Sequence, residues 1–129
     1  MTPWARPGDF YIIEEVAGAA VVPGDVVLAA VAGRALTHRV VARRPGGVLL
    51  LKGDCNRFYD PPLTTETIIG RVIALETAGG ARVGLNAGRA QAGGRALAAL
   101  SRFHAALPFL AVPFYILRYA VVAAYGLRS

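Results

Sequence analysis

The chain has 129 residues, of which 55% are hydrophobic and 17% are charged, and this composition excludes an intrinsically disordered protein. The length allows one domain with a modest core. A single cysteine excludes an internal disulfide framework and a zinc site built from several cysteines.

Positive charge is concentrated in the second part of the chain. The formal net charge is +6. Residues 1–76 hold equal numbers of acidic and basic side chains, whereas residues 77–129 hold six arginines and no acidic residue. We therefore expect the two parts to face different surroundings.

Short segments rich in β-forming residues alternate with glycine and proline turns in the first part of the chain. This pattern predicts strands over residues 9–16, 26–31, 35–42, 48–51, 68–77 and 81–85. Turns are predicted at Pro23-Gly24-Asp25, Gly33-Arg34 and Pro45-Gly46-Gly47. Short strands at such close spacing favour a mainly β domain over residues 1–85, folded as a small barrel or coiled sheet.

The composition changes after this β part. Residues 86–94 are rich in Gly, Ala, Arg and Gln and predict a linker, and residues 95–103 have helical periodicity. Residues 103–127 then form an apolar stretch of 25 residues, which is long enough to span a bilayer. Two prolines and one arginine interrupt this stretch, so three interpretations stay open: a kinked membrane-spanning helix, an interfacial helix pair, or helices that cover the β core.

Arginines precede the apolar stretch and favour contact with anionic lipid. We therefore expect residues 95–129 to be helical and membrane-associated. A nucleic-acid contact through these arginines is the weakest hypothesis, because the tail becomes apolar after Phe103 and the β part shows no aromatic-basic platform. No nucleic-acid partner is predicted.

Three groups of short motifs contain the polar residues that could support chemistry. The first is Met1-Thr2-Pro3 followed by Gly8-Asp9; the second is Pro23-Gly24-Asp25-Val26-Val27 followed by Thr37-His38-Arg39-Val40; the third is Lys52-Gly53-Asp54-Cys55-Asn56 followed by Asp60 and by Ile69-Gly70-Arg71-Val72. Each motif is weak alone. A lone histidine within a strand is more often structural than catalytic, and Asp54 or Asp60 could simply hydrogen-bond its own turn.

Together and in this order, the motifs resemble the type I signal peptidases, which belong to a serine-peptidase superfamily that includes LexA-like repressors. That family reads Ser-Met-x-Pro, Gly-Asp, Gly-Asp-Val-Val, His-Arg-Val, Lys-Gly-Asp-Asn-Asn with a further Asp, and Ile-Gly-Arg/Lys-Val. Residues 1–72 follow this order from its methionine onward. The match around His38 is closer to the archaeal and endoplasmic-reticulum branch, in which a histidine replaces the catalytic lysine. Lys52 does not stand where the bacterial catalytic lysine falls.

The resemblance implies a signal-peptidase-like β core and a serine endopeptidase that cleaves peptide or preprotein substrates at a membrane, here the cytoplasmic membrane of a prokaryote. It implies no cofactor and no metal. His38 would take the proton of the serine hydroxyl. Asp60 would fix the tautomer of the histidine and stabilise its imidazolium form, and Asp54 is the second candidate for this role.

Four residues are candidates for substrate contact. Met1 and Pro3 match the family residues that follow the nucleophile. The strands around Ile12 and Val26 could form a groove that holds an extended peptide by strand addition, with shallow pockets for small residues. Plain core strands are equally compatible with their apolar pattern.

The serine of the family motif would stand immediately before Met1, and Ser101 and Ser129 lie in the wrong segment. As written, the chain is therefore expected to be inactive. We favour a start assigned too late; a pseudoenzyme or accessory subunit that binds peptides is the alternative. A substitute nucleophile, Cys55 or Thr2, is disfavoured because lone cysteines are usually inert and no base is evident beside either group.

Overall fold

The computed structural model describes residues 6–54, 56–85 and 88–106, together with 116, 117 and 120. Within these residues the chain forms seven strands, two short 3₁₀ turns and one long α-helix. The strands are β1 (Phe10–Glu15), β2 (Val26–Val31), β3 (Arg34–Arg44), β4 (Val48–Lys52), β5 (Leu63–Thr64), β6 (Ile68–Glu76) and β7 (Arg82–Gly84). The 3₁₀ turns span Gly18–Ala20 and Thr65–Thr67, and the helix α1 spans Gly88–Ala106.

All six predicted strands are confirmed, and their ends lie within two residues of the predicted positions. Alternating apolar side chains and glycine or proline turns were sufficient signals for them. The sequence pattern missed β5, which has only two residues and is too short to show a periodicity.

The strands form one antiparallel sheet in the order β1-β6-β2-β3-β4-β5, and β7 also pairs with β6. The predicted mainly β fold is therefore confirmed. Register shifts interrupt three of the ladders, between Ile12 and Ile13, between Leu28 and Ala29, and between Val40 and Ala42. Such bulges bend a strand and increase its twist, so they favour a coiled sheet over a flat one.

A tight hairpin joins β2 to β3. Its two loop residues are Ala32 and Gly33, with φ angles of 49° and 75°. Two successive positive φ values define the hairpin turn whose twist matches that of the flanking strands. The turn therefore lies one residue earlier than the predicted Gly33-Arg34, and Arg34 already belongs to β3.

Two apolar layers lie on opposite faces of β2 because successive side chains of a strand alternate. Val27 belongs to the larger cluster, which also contains Val21, Ala29, Val40, Leu49, Leu51, Leu63 and Ile68. Val26 belongs to the second cluster with Val72, Leu75 and Leu97. Since Leu97 comes from α1, the second layer is the interface between this helix and the sheet.

The predicted linker is wrong from residue 88 onward, because Gly88–Gly94 form the first turns of α1. Glycine disfavours a helix interior by about 1 kcal/mol relative to alanine, and this preference suggested a linker. In the fold, Gly94 lies against the sheet: a Cβ atom there would be 2.9 Å from the carbonyl oxygen of Gly24 and 3.1 Å from the guanidinium of Arg39. The glycine thus allows the helix to approach the sheet closely.

Among the described residues, no helix combines the length and the apolar character that crossing a bilayer requires. The apolar stretch over residues 103–127 lies mostly outside the described residues.

Candidate active site

His38 and Asp60 form a direct contact, and His38 lies on the sheet face of the larger apolar layer, opposite Val27 in the register. The distance from Nδ1 of His38 to Oδ2 of Asp60 is 2.5 Å, and the two side chains are 11% and 16% exposed. An ionised carboxylate can only accept a hydrogen bond, so Nδ1 of the histidine carries the proton. In the neutral ring, Nε2 then has its lone pair available to accept a proton.

The backbone around β4 positions this aspartate. β4 ends at Lys52, and the chain turns at once, with the amide of Asn56 donating to the carbonyl of Gly53 over 2.8 Å. The chain then returns, and the amide of Asp60 donates to the carbonyl of Leu51 over 2.9 Å. The loop therefore closes on β4, next to the part of β3 that holds His38.

Nε2 of His38, the ring nitrogen that does not contact Asp60, lies next to Gly53. A Cβ atom on Gly53 would be 2.9 Å from Nε2 of His38 and 2.8 Å from Nδ2 of Asn56. Because glycine has no Cβ atom, both nitrogen atoms can lie close to the backbone of residue 53. Sequence reasoning gave Asn56 no role, although the asparagine after a Gly-Asp turn was part of the motif.

Asp54 has a different partner. Nε and Nη2 of Arg39 donate to the two carboxylate oxygens of Asp54, each over 2.9 Å. The side chains are 2% and 0% exposed, and Nη1 of the arginine also donates to the carbonyl of Gly24. The prediction of Asp54 as an alternative catalytic acid is therefore wrong: its carboxylate is held by Arg39, and it anchors the loop from beneath.

Lys52 is fully buried and lies opposite Arg39 in the register of β3 and β4. Directly paired residues project to the same face of a sheet, and neighbours along a strand project to opposite faces. Lys52 therefore shares the face of Arg39, whereas His38 projects to the other face.

The first part of β3 presents main-chain groups for strand addition. β4 pairs with β3 only from Arg39 onward, and in the described part of the chain no strand pairs with this edge of residues 34–38. The main-chain groups of Val40 point towards residues 24–25. Because these groups alternate sides along a strand, those of Thr37 and Ala35 point to the opposite, open edge.

An open cavity of about 520 Å³ adjoins this edge. Asp60 lines one part of it, so the cavity begins beside the His38 contact. Its other lining residues are mostly apolar: Val31, Ala32, Arg34, Ala35, Leu36, Pro61 and Leu63. A cavity of this size can hold several side chains of an extended peptide.

The structure does not bring the other predicted substrate residues to this edge. Val26 is 4% exposed and packs in the second core cluster, so the prediction that it lines a groove is wrong. Val26 also pairs with Arg39 of β3, and its neighbours Val27 and Leu28 pair with both β3 and β6. Ile12 lies on β1, which is separated from β3 by β6 and β2 in the sheet.

Met1, Pro3, Thr2 and Cys55 lie outside the described residues. Ser101 is described; it is 1% exposed and lies within α1, which covers the face of the sheet opposite to His38.

No family model matches this chain, and neither the curated proteins nor the solved structures contain a significant match. The resemblance to signal peptidases therefore depends on the order of the motifs in the sequence.

Proposed function

We propose that this chain is a serine endopeptidase domain of the signal-peptidase type, with His38 as general base and Asp60 as the acid that orients it. The observation that carries the proposal is the 2.5 Å contact between Nδ1 of His38 and the Asp60 carboxylate. This contact holds the ring in the tautomer whose Nε2 can accept a proton from a hydroxyl group.

In the proposed reaction, Nε2 of His38 takes the proton of a serine hydroxyl as its oxygen bonds to the peptide carbonyl carbon. The carboxylate of Asp60 stabilises the imidazolium that forms. The imidazolium then gives its proton to the departing amine as the peptide C–N bond breaks. Water releases the acyl group by the same steps, with His38 again acting as the base.

Substrate recognition in this proposal depends on the open edge of β3. The main-chain groups of Ala35 and Thr37 would pair with an extended peptide, and its side chains would enter the cavity beside Asp60. This edge replaces the groove between β1 and β2 that the apolar pattern suggested. A coiled, bulged antiparallel sheet is the fold that the resemblance implies, and the observed sheet is compatible with it.

The test of this proposal places a serine at the position that it has in the family motif. The chain is prepared with a serine placed immediately before Met1, and in parallel with an alanine there. Both are incubated with extended peptides that have small residues around the bond to be cut, and products are identified by mass spectrometry. We expect cleavage only with serine, and loss of cleavage in His38→Ala.

The Asp60→Asn variant refines this test. An amide in place of the carboxylate favours the wrong histidine tautomer, so cleavage should fall by about 10³–10⁴-fold. Asp9→Asn is the matched control, because Asp9 is far along the chain and accepts hydrogen bonds only from the amides of Arg6 and Ala78 among the described residues. Full activity of the serine form with His38→Ala would overturn the assignment of the base.

A second candidate function is peptide binding without cleavage. The open edge of β3 and its cavity would serve this function equally, and the one serine among the described residues, Ser101, is buried in α1. If the serine form binds peptides in a calorimeter but cuts none of them, this second function is supported. Peptide binding should then be weakened by Thr37→Pro, because proline lacks the backbone N–H that points to the open edge at this position.

A further inference from the structure

A second cleft lies between α1 and the sheet, on the face opposite to His38. It has a volume of about 350 Å³. Its floor is apolar, and Arg95 and Arg102 of α1 line it with Ala98 and Ala99. The sheet side of the cleft is formed by Val22, Pro23 and Val41. The proposed peptidase function uses none of these residues.

The two arginines stand on one side of the helix. They are seven residues apart, which corresponds to two turns and about 10 Å along the axis. Both are exposed, and in the described part of the chain no carboxylate lies within ion-pair distance of either. A third cation is near, because Arg43 donates to the carbonyl of Val21, the residue before Val22.

One acidic side chain, Asp25, lies beside the cleft, but its carboxylate accepts from the amide of Val22 and lies 3.6 Å from Arg71, so it does not pair with Arg95 or Arg102. All eight acidic residues precede residue 77, and every charged residue after it is an arginine. The ligand that fits such a cleft is therefore anionic at its polar end and apolar beyond it. Guanidinium groups suit phosphate oxygens in particular, because their N–H donors can bind two oxygens at once.

The neighbourhood of the cleft favours a membrane as the source of this ligand. Phe103, next to Arg102, is 57% exposed at the end of the described part of α1. The exposed side chains of Ile116 and Leu117 belong to the apolar stretch that follows. An arginine pair followed by exposed apolar residues is the arrangement that holds a helix at an anionic bilayer surface.

We propose that this cleft binds the headgroup of an anionic phospholipid at a membrane surface. Arg95 and Arg102 bind the phosphate oxygens, and the apolar floor receives the part of the lipid next to the headgroup. Bound in this way, α1 lies on the bilayer, and the side chain of His38 projects from the opposite face of the sheet. The proposal does not depend on peptidase activity.

The test measures binding of the full chain to phosphatidylcholine vesicles with and without phosphatidylglycerol, by flotation. We expect binding only when phosphatidylglycerol is present. Each arginine near an anionic surface contributes about fivefold to binding, so Arg95→Gln/Arg102→Gln should weaken it roughly 30-fold. The matched control is Arg6→Gln/Arg82→Gln, which removes the same charge from two exposed arginines elsewhere and should weaken binding much less.

Two further measurements distinguish binding of a headgroup in the cleft from general electrostatic attraction of the protein to the membrane. Ala99→Phe keeps every charge and fills the cleft from an exposed position, so it should lower binding several-fold. Inorganic phosphate, added at the concentration of accessible lipid phosphate, should not displace the vesicles. Equal losses in the two arginine double variants, binding independent of phosphatidylglycerol, unchanged binding in Ala99→Phe, or displacement by phosphate would each overturn the proposal.

Discussion

His38 and Arg39 are neighbours in the chain, but their side chains leave β3 on opposite faces and bind two different aspartates. His38 contacts Asp60 in a partly exposed position, and Arg39, which lies next to Gly94 of α1, holds the fully buried Asp54. The loop after β4 supplies both carboxylates. The Arg39–Asp54 ion pair therefore anchors this loop, whereas the His38–Asp60 contact orients the proposed base. The two contacts can be tested separately.

Removing only one partner of the buried Arg39–Asp54 ion pair should strongly destabilise the protein. Arg39→Met leaves the carboxylate of Asp54 buried without its guanidinium, and we expect the free energy of unfolding to fall by about 3–5 kcal/mol. In Arg39→Met/Asp54→Leu the buried charge is absent as well, so this double variant should be more stable than Arg39→Met. Urea unfolding followed by circular dichroism measures both.

An exposed ion pair provides the control for this comparison. Arg71 donates to Glu14 over 2.9 Å, and the glutamate side chain is 48% exposed. The hydrogen bond to Glu14 raises the pKa of Arg71 above its ordinary value, so the arginine stays charged throughout the measurement. Glu14→Gln should cost less than about 1 kcal/mol. A cost as large as that of Arg39→Met would contradict the distinction between buried and exposed pairs.

Gly53→Ala should disturb the candidate site without straining the backbone. Gly53 is not among the residues with a positive φ, so alanine is allowed there, but its methyl group would meet Nε2 of His38 at 2.9 Å. We expect altered imidazole resonances of His38 in NMR spectra and weaker peptide binding. Gly84→Ala is the matched control, since no atom lies within 4 Å of a Cβ atom at that position. Unchanged His38 resonances in Gly53→Ala would refute the described packing.

The short contact of His38 with Asp60 should have a spectroscopic signature. A proton on Nδ1, shared with a carboxylate oxygen at 2.5 Å, is strongly deshielded because charge-assisted hydrogen bonds are short and strong. We therefore expect a far-downfield proton resonance that disappears in Asp60→Asn. The resonance should persist in Asp9→Asn; its persistence in Asp60→Asn would assign it to another group and remove the evidence for the pair.

The hairpin loop between β2 and β3 offers a stabilising substitution. Ala32 has a φ of 49°, and this left-handed conformation costs a residue with a Cβ atom about 1–2 kcal/mol. Asparagine tolerates the conformation better, and Asn-Gly is the preferred sequence for this turn. Ala32→Asn should raise the free energy of unfolding by about 1 kcal/mol. Ala30→Asn, at an exposed position within β2, should not raise it, and equal stabilisation by both would contradict the explanation.

The strands were predictable because each is a local pattern. The stretch from Val26 to Val31 is apolar between two turn signals, and β2 has the same bounds as the prediction. The local pattern gave a wrong prediction where a contact with a residue distant in sequence outweighs a residue's own secondary-structure preference. Gly94 is a poor helix former that lies in a helix, because only glycine fits between α1 and the guanidinium of Arg39.

Sequence by itself determined that the chain is mainly β, that its positive charge follows residue 76, and that His38, Asp54 and Asp60 are the polar residues to test. Only the tertiary structure decided which aspartate touches the histidine. The period of two places the side chains of His38 and Arg39 on opposite faces, but the bend of the loop after β4 determines which carboxylate reaches each face. The same folding placed Val26 in the core and, among the described residues, left one edge of residues 34–38 without a paired strand, because strand order and helix docking join residues that are far apart in the chain.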